Sequence, residues 1–386
     1  MSQLRIATFN LLHGQPLAAD GALLPFPPEP TDPTAAAALL AEAVAALDAD
    51  VLALQEVDRY QPRSGLVDQA AVAARAMGAA DWRFAAALHG RPAPVSGWLR
   101  DTSAAGFRVY GPAEADSAAE PPSYGTALLT RLPVRHWRAR RFPPAPFGLP
   151  LRVAGRRGLT QVPDEPRAAL AAVLEGDRGP FTAVATHLSF VPGWNVAQLA
   201  GIRRWIADLP RPYLLLGDFN LVGAVPRTVL GGAAVVDGVT RAPRRGRRRT
   251  AQAAAPLRET AAALGQGPAR PVGPGSADGP ADGDLGATRV RSSRRRLRDL
   301  REARRTRLDR AGRDRPRIRR SPRRQAREGL QGWRDLARTP TYPSHRPTVQ
   351  FDHVLAVGLR PVAVGAALTP RTPISDHRPL LVHVDL

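Results

Sequence analysis

The sequence contains no cysteine and no lysine. The first absence excludes disulfides and thiolate-bound metal, so any metal site must use oxygen or imidazole ligands, and it fits a reducing compartment. The second leaves arginine to carry all the basic side-chain charge; with the Ala, Pro and Gly bias it looks like a GC-rich coding sequence and says little about binding. Aromatic residues make up only 5% of the chain, and no stretch approaches the ~18 uninterrupted apolar residues of a membrane span. The opening MSQLRIATFN has one Arg and too short an apolar run for a signal peptide, so the expectation is a cytoplasmic protein without a transmembrane segment, and a monomer. What is present is length: 386 residues, enough for one large or two ordinary domains.

A formal charge of +21 invites a nucleic-acid reading, but its location matters more than its size. Of the 55 basic residues 27 fall within 241–330, against 9 of the 34 acidic ones, so that segment carries a net +18 and the rest of the chain +3. No aromatic residue is interleaved among those arginines to stack on bases. Low hydrophobicity and dense like charge predict that 233–331 is an Arg/Pro/Gly-rich insert, disordered for most of its length, with a weak helix at most over 294–310 and weak nonspecific contact with nucleic acid at most. A second stretch, 91–122, is rich in Gly, Pro, Ala and Ser and reads as a long loop over a site.

Outside these segments, short apolar strands alternate with a few helices. Strands are expected over 3–9, 50–58, 82–88, 125–131, 167–175, 181–188, 214–218, 348–358 and 378–386, and helices from Thr34 and from Asn195. That mixture implies an α/β sandwich.

Polar residues repeatedly fall where those strands end: Asn10, Glu56, His187, Asp218 with Asn220, then Asp352 and His377. In LLLGDFNLVG, Asp218 and Asn220 are two residues apart, so an extended chain would aim both side chains to one face; the alternative is a strand running into an Asx turn. Carboxylates, amides and imidazoles without thiols are the ligand set of a hard cation such as Mg²⁺ or Mn²⁺ working on phosphate.

Taken in order, ATFNLLHG, LALQEVD, YGTALLTRLPV, VATHLSF, LLLGDFNL, FDHVLA and SDHRPLLVHV resemble the endonuclease/exonuclease/phosphatase superfamily, related to DNase I. The resemblance implies a four-layer α/β/β/α sandwich, two packed mixed sheets flanked by helices, with the site at one sandwich edge. It implies Glu56 as principal metal ligand, Asn10 at the metal or the phosphate, and Asp376 at a second metal position or behind it. Asp218 would orient or deprotonate water, Asn220 would hold a phosphate oxygen, His187 and His377 would donate to phosphoryl oxygens, and Asp352 would fix the His377 ring. Thr126 stands where relatives often carry Asn, and QEVD with Asp58 is similar to the phosphatase and phosphodiesterase branch. SDHRP must be a loop for Asp376 and His377 to face one site; His13 is as readily structural as phosphate-binding, and His353 faces away from Asp352.

The expected function is a metal-dependent phosphoester hydrolase, a phosphodiesterase or phosphatase acting on a small molecule or lipid headgroup. An endo- or exonuclease is the alternative, and a non-catalytic nucleic-acid-binding protein using the Arg-rich segment is the more distant one.

Overall fold

The computed structural model describes the chain apart from residues 1–2, 19, 25–32, 95, 104–105, 116–120, 152–156, 241–331, 363–366 and 386. The described residues all belong to one compact unit, formed by 1–242 and 321–386. In chain order it contains β1 (Gln3–Asn10), α1 (Pro33–Ala45), β2 (Val51–Arg59), α2 (Gln69–Met77), β3 (Asp81–Pro92), β4 (Trp98–Arg100), β5 (Arg108–Tyr110) and β6 (Ser123–Thr130). There follow β7 (Val134–Phe142), β8 (Leu149–Leu151), β9 (Thr160–Val162), β10 (Arg167–Gly176), β11 (Gly179–His187), α3 (Trp194–Trp205), β12 (Tyr213–Asp218) and α4 (Val225–Thr240). The chain closes with β13 (Trp333–Asp335), β14 (Asp352–Val357), β15 (Arg360–Pro361) and β16 (Leu380–Asp385).

Two large mixed sheets result. The first runs β15-β16-β1-β2-β6-β3-β4 with β5 also on β3, the second β13-β14-β12-β11-β10-β7, and β8–β9 form a separate hairpin. Period-two side-chain alternation decides what each strand packs against. In β2, Val51 and Ala53 point between the sheets while Leu52 and Leu54 point to α1 and α2. In β12, Leu214 and Leu216 enter the inter-sheet core while Leu215 packs with Leu199 and Ile202 of α3. Because both faces are covered, these strands read as continuous apolar runs. The layers are therefore helices, sheet, sheet, helices, the four-layer sandwich expected, and among the described residues no helix is long and apolar enough to cross a membrane.

Some elements differ from the expectation. The stretch 91–122 is not one loop: β4 and β5 each pair with β3, and their three-residue length hides them from any pattern of alternation. α2 is built from small residues with little periodicity, but its ends are signalled by Asp68, whose carboxylate accepts Ala71 N–H at 3.0 Å, and by Gly78 at φ 68°. β7 is an Arg-rich strand at the edge of the second sheet, where only one side is paired. α4 runs to Thr240, past the expected start of the insert at 233, and the remainder of that insert, with the helix expected over 294–310, lies outside the described residues.

Candidate active site

Topology gathers the polar strand ends at one sandwich edge. β1 and β2 are parallel, as are β11 and β12, so Asn10, Glu56, His187 and Asp218 all lie at carboxyl ends. β14 and β16 run antiparallel to β12 and β1, which brings Asp352 and the loop carrying His377 to the same edge from their amino ends. His187 is the register partner of Asp218, and Asp218 of Asp352, so the three form one cross-strand row.

Local backbone geometry then aims each side chain. The β2–β6 register shifts between Leu54 and Val57, and within that bulge Glu56 takes φ 53°, left-handed for a residue with a Cβ. Gly217, at φ 148°, precedes Asp218; a Cβ there would sit 1.8 Å from Thr186 O, so only glycine lets β12 approach β11 this closely. Asp218 and Asn220 do not converge through an extended chain: β12 ends at Asp218, whose Oδ1 accepts Asn220 N–H at 2.9 Å, and Asn220 turns left-handed at φ 48°. The Asx-turn reading is the structural means by which both residues reach the site. Before β16, Ser375 at φ 72° donates its hydroxyl to Asn10 O at 2.6 Å and accepts His377 N–H at 3.1 Å, tying the loop to the end of β1.

Asn10 is the hinge between the two sheets. Its Oδ1 accepts Leu12 N–H at 3.0 Å, leaving Nδ2 to donate to Glu56 Oε1 at 3.1 Å and Asp218 Oδ2 at 3.0 Å. Its Nδ2 thus bridges the carboxylates of β2 and β12. Around Asp218 Oδ2, His187 Nε2 lies at 3.7 Å and His377 Nε2 at 4.0 Å. On its far side the His377 ring donates from Nδ1 to Asp352 Oδ2 at 2.8 Å, and Thr341 Oγ1 donates to the same oxygen at 2.5 Å. Asn220 Nδ2 donates to Leu188 O at 3.0 Å and lies 3.4 Å from His187 Nε2. His353 points elsewhere, to Leu221 O at 2.8 Å and Asp335, whereas His13 lines the cleft with Nδ1 4.0 Å from Glu56 Oε2.

The two histidines are driven in opposite directions. Burial would deprotonate His377, but the charge and hydrogen bond of Asp352, aided by Asp218 and Asp376, outweigh it and lift the imidazolium to about 10. His187 is lowered well below its ordinary value by burial, by the Arg167 guanidinium 2.8 Å from Nδ1, and by cationic His377. The Arg167 guanidinium, which can only donate, also lies 3.1 Å from Nε2, so the surroundings of the ring favour the neutral form over the imidazolium. Thr126 is buried on β6, and the polar support for His187 comes from Arg167. Asp218 is raised by burial and by Asp352, against His377, the Asn220 N–H and Asn10, making it a better proton acceptor than an exposed carboxylate.

Burial raises Glu56 to about 7, with Glu165 and Asp376 pushing the same way against the Asn10 hydrogen bond, and Asp376 is also raised, chiefly by burial. Asp376 Oδ1 is buried without a hydrogen-bond partner. Two such carboxylates in mutual electrostatic range suit a divalent cation, which would favour their ionised forms. Asp218, Asp352 and His377 also offer atoms within 4.8 Å of one another, a second group that could hold a cation.

Glu56, His187, Asp218, Asn220, Asp376 and His377 line a cleft of about 680 Å³ that also holds Arg63, Trp98, Tyr124, Glu165 and Arg167, none of them marked by a sequence motif. Asp58 of QEVD, fully buried, binds Arg63 through both carboxylate oxygens at 2.7 Å. A conspicuous signal existed only for Asp58; its partner five residues on carries no pattern of its own.

The model of the endonuclease/exonuclease/phosphatase family matches residues 7–229. None of the curated proteins matches the chain. Among solved structures, an endonuclease/exonuclease/phosphatase family protein from Bacteroides thetaiotaomicron is 12% identical, the match covering 100% of this chain and 99% of that one with a TM-score of 0.43. A mannosyl-6-phosphatase from the same species is 11% identical over 99% and 100% of the two chains, TM-score 0.43. The catalytic domain of human nocturnin with bound sulfate is 16% identical over 99% and 94%, TM-score 0.40. With the family model spanning more than half its length, and with two mixed sheets presenting an Asn, Glu, Asp and His row at one edge, the chain belongs to the endonuclease/exonuclease/phosphatase family.

Proposed function

We propose that the protein is a divalent-cation-dependent phosphoester hydrolase, a phosphatase or phosphodiesterase, that drives water onto phosphorus. The observation that carries this reading is the convergence on Asp218 of the Asn10 amide, His187 and His377, two imidazoles whose surroundings drive their charge in opposite directions. Asp218 takes the proton of the attacking water. His377 offers Nε2–H to a phosphoryl oxygen as its negative charge grows, and Asp352 keeps that ring charged and oriented. His187 faces the phosphoryl side of the cleft without adding a second positive charge, and Asn220, anchored by its hydrogen bond to Leu188 O, lines the same side. Glu56 and Asp376, with Asn10 beside them, would hold Mg²⁺ or Mn²⁺, which polarises a phosphoryl oxygen when bound. Phosphoester hydrolysis needs up to ~10²¹-fold acceleration, most of it from fixed charges and donors around the transition state, which is what this edge supplies.

The test is turnover of a phosphoester panel containing nitrophenyl esters, inositol phosphates, sphingomyelin, RNA and plasmid DNA, with Mg²⁺ and with EDTA. Activity with Mg²⁺ that disappears in EDTA is expected, and Asp218→Asn, nearly isosteric, is expected to lower kcat by about 10²-fold or more while the protein stays folded. Full activity in EDTA, or in the Asp218 variant, would refute the reading. Exclusive turnover of DNA or RNA would replace it by a nuclease.

A further inference from the structure

A second cavity, of about 260 Å³, lies outside the cleft but against the loop that carries Asp376 and His377. Three segments wall it, contributing Asp20 and Gly21, Ser344 and His345, and Arg371, and no residue of its lining also lines the cleft. The volume has room for several waters, yet it falls below the about 300 Å³ at which pockets for drug-sized ligands begin, so an occupant is small.

Its walls carry groups the protein does not satisfy. Arg371 is exposed and, among the described residues, has neither an ion pair nor a hydrogen bond. Arg378, already lowered by burial, is lowered further by the charge of Arg371, so the two guanidinium groups repel. Ser344 is 7% exposed and its hydroxyl has no hydrogen-bond partner. Water would satisfy that hydroxyl but would leave Arg371 without a counter-charge. Asp20 contributes the opposite sign; its Oδ1 accepts Ala22 N–H at 2.9 Å, which leaves Oδ2 to accept from a ligand. One guanidinium and one carboxylate in a small cavity suit a ligand with a single anionic head and a hydroxyl donor, and Asp20 would repel a polyanion.

The same walls support the catalytic loop. Ser344 N–H donates to Asp376 O at 2.6 Å, and Arg378 Nε donates to Ser344 O at 2.6 Å. Leu17 N–H donates to Pro373 O at 2.9 Å, and Ser375 N–H to Gln15 O at 2.8 Å. A Cβ on Gly21 would sit 2.4 Å from His345 Cβ, so the 17–21 turn rests directly on the 344–345 segment. An occupant that draws these segments and Arg371 together steadies 373–377 from behind.

We infer that this cavity is an effector site for a small hydroxylated oxyanion, a protonated inorganic phosphate or a hydroxycarboxylate, held by Arg371, Ser344 and Asp20, and that its occupancy fixes the Asp376–His377 loop in the form that binds the cation. The site stands on its own geometry; its effect on turnover rests on the phosphoester-hydrolase reading.

The experiment is calorimetric titration of the full chain with inorganic phosphate, lactate and acetate, first without divalent cation, in the wild type and in Arg371→Ala, Arg371→Lys and Ser344→Ala. Phosphate or lactate is expected to bind, and acetate, which lacks the hydroxyl, to bind about tenfold or more weakly. Arg371→Ala should weaken the bound anion by about tenfold or more, Ser344→Ala by less, and Arg371→Lys, which keeps the charge, should retain most of the affinity. Because coupling between sites is reciprocal, Mg²⁺ should tighten the anion by about fivefold or more, and the anion should lower the Mg²⁺ concentration for half-maximal turnover by the same factor. The first of these readouts needs no turnover. The absence of any binding that depends on Arg371, or acetate binding as tightly as lactate, overturns the site. Anion binding that is indifferent to Mg²⁺ overturns the coupling. Arg371-dependent binding by a protein that hydrolyses no ester removes the hydrolase reading and leaves the site standing.

Discussion

His377 Nδ1–H donates to Asp352 Oδ2 at 2.8 Å, and Asp352 is fully buried beneath it. The pair places a positive charge on His377 at neutral pH although the ring is only 7% exposed. In Asp352→Asn the shape is kept and the charge is lost, so the ring should lose its proton at a lower pH. Since the folded value of about 10 lies above the ordinary 6.5, the stabilisation is fully present below pH 6.5 and lost as pH rises through about 10. The wild type should therefore lose stability and activity across that alkaline window, and the variant should show the decline displaced downward, with a smaller loss of kcat at pH 6 than Asp218→Asn shows. Imidazole NMR titration and melting temperature against pH measure this; an unchanged His377 titration would contradict it.

Glu56→Gln separates cation binding from folding. A carboxylate whose folded value is raised from 4.5 to about 7 opposes folding fully above pH 7 and not at all below 4.5. In EDTA at pH 8 the variant should melt at a higher temperature than the wild type, and added Mg²⁺ or Mn²⁺ should raise the wild-type melting point but not the variant's. Equal stabilisation of both proteins by the cation would place it elsewhere.

At Gly217 the constraint is backbone approach. Alanine there would place Cβ 1.8 Å from Thr186 O and at φ 148°, so Gly217→Ala should destabilise by more than about 2 kcal/mol and weaken hydrolysis through misplacement of Asp218. Denaturant midpoints decide it; a stable variant would mean that β11 and β12 can separate without consequence.

The site lies wholly within the unit formed by 1–242 and 321–386. Replacing 243–320 by a short Gly-Ser linker should leave folding and turnover of a small ester near wild type, because long loops cost only about 0.6 kcal/mol of closure entropy per doubling. An insoluble or inactive product would show that the segment contributes to the core or to the site.

Much of the site could be read directly because its residue types interrupt apolar strands. A polar group that ends a buried strand must be satisfied or used, and Asn10, His187, Asp218 and Asp352 each stand at such an end, with Glu56 in the β2 bulge and His377 in the loop before β16. The α/β sandwich followed from short strands mixed with a few helices, and its four layers from the family resemblance. What tertiary structure alone decided is the pairing of distant charges. Whether His187 is charged depends on Arg167 from the neighbouring strand, and whether Asp58 is catalytic or structural depends on Arg63 folding back onto it. The Trp98–Glu165 contact joins a three-residue strand to the connection after the β8–β9 hairpin across 67 residues. Sequence periodicity reports local geometry over a few residues, whereas protonation and specificity arise from electrostatic and packing contacts formed only when strands far apart in the chain are laid side by side.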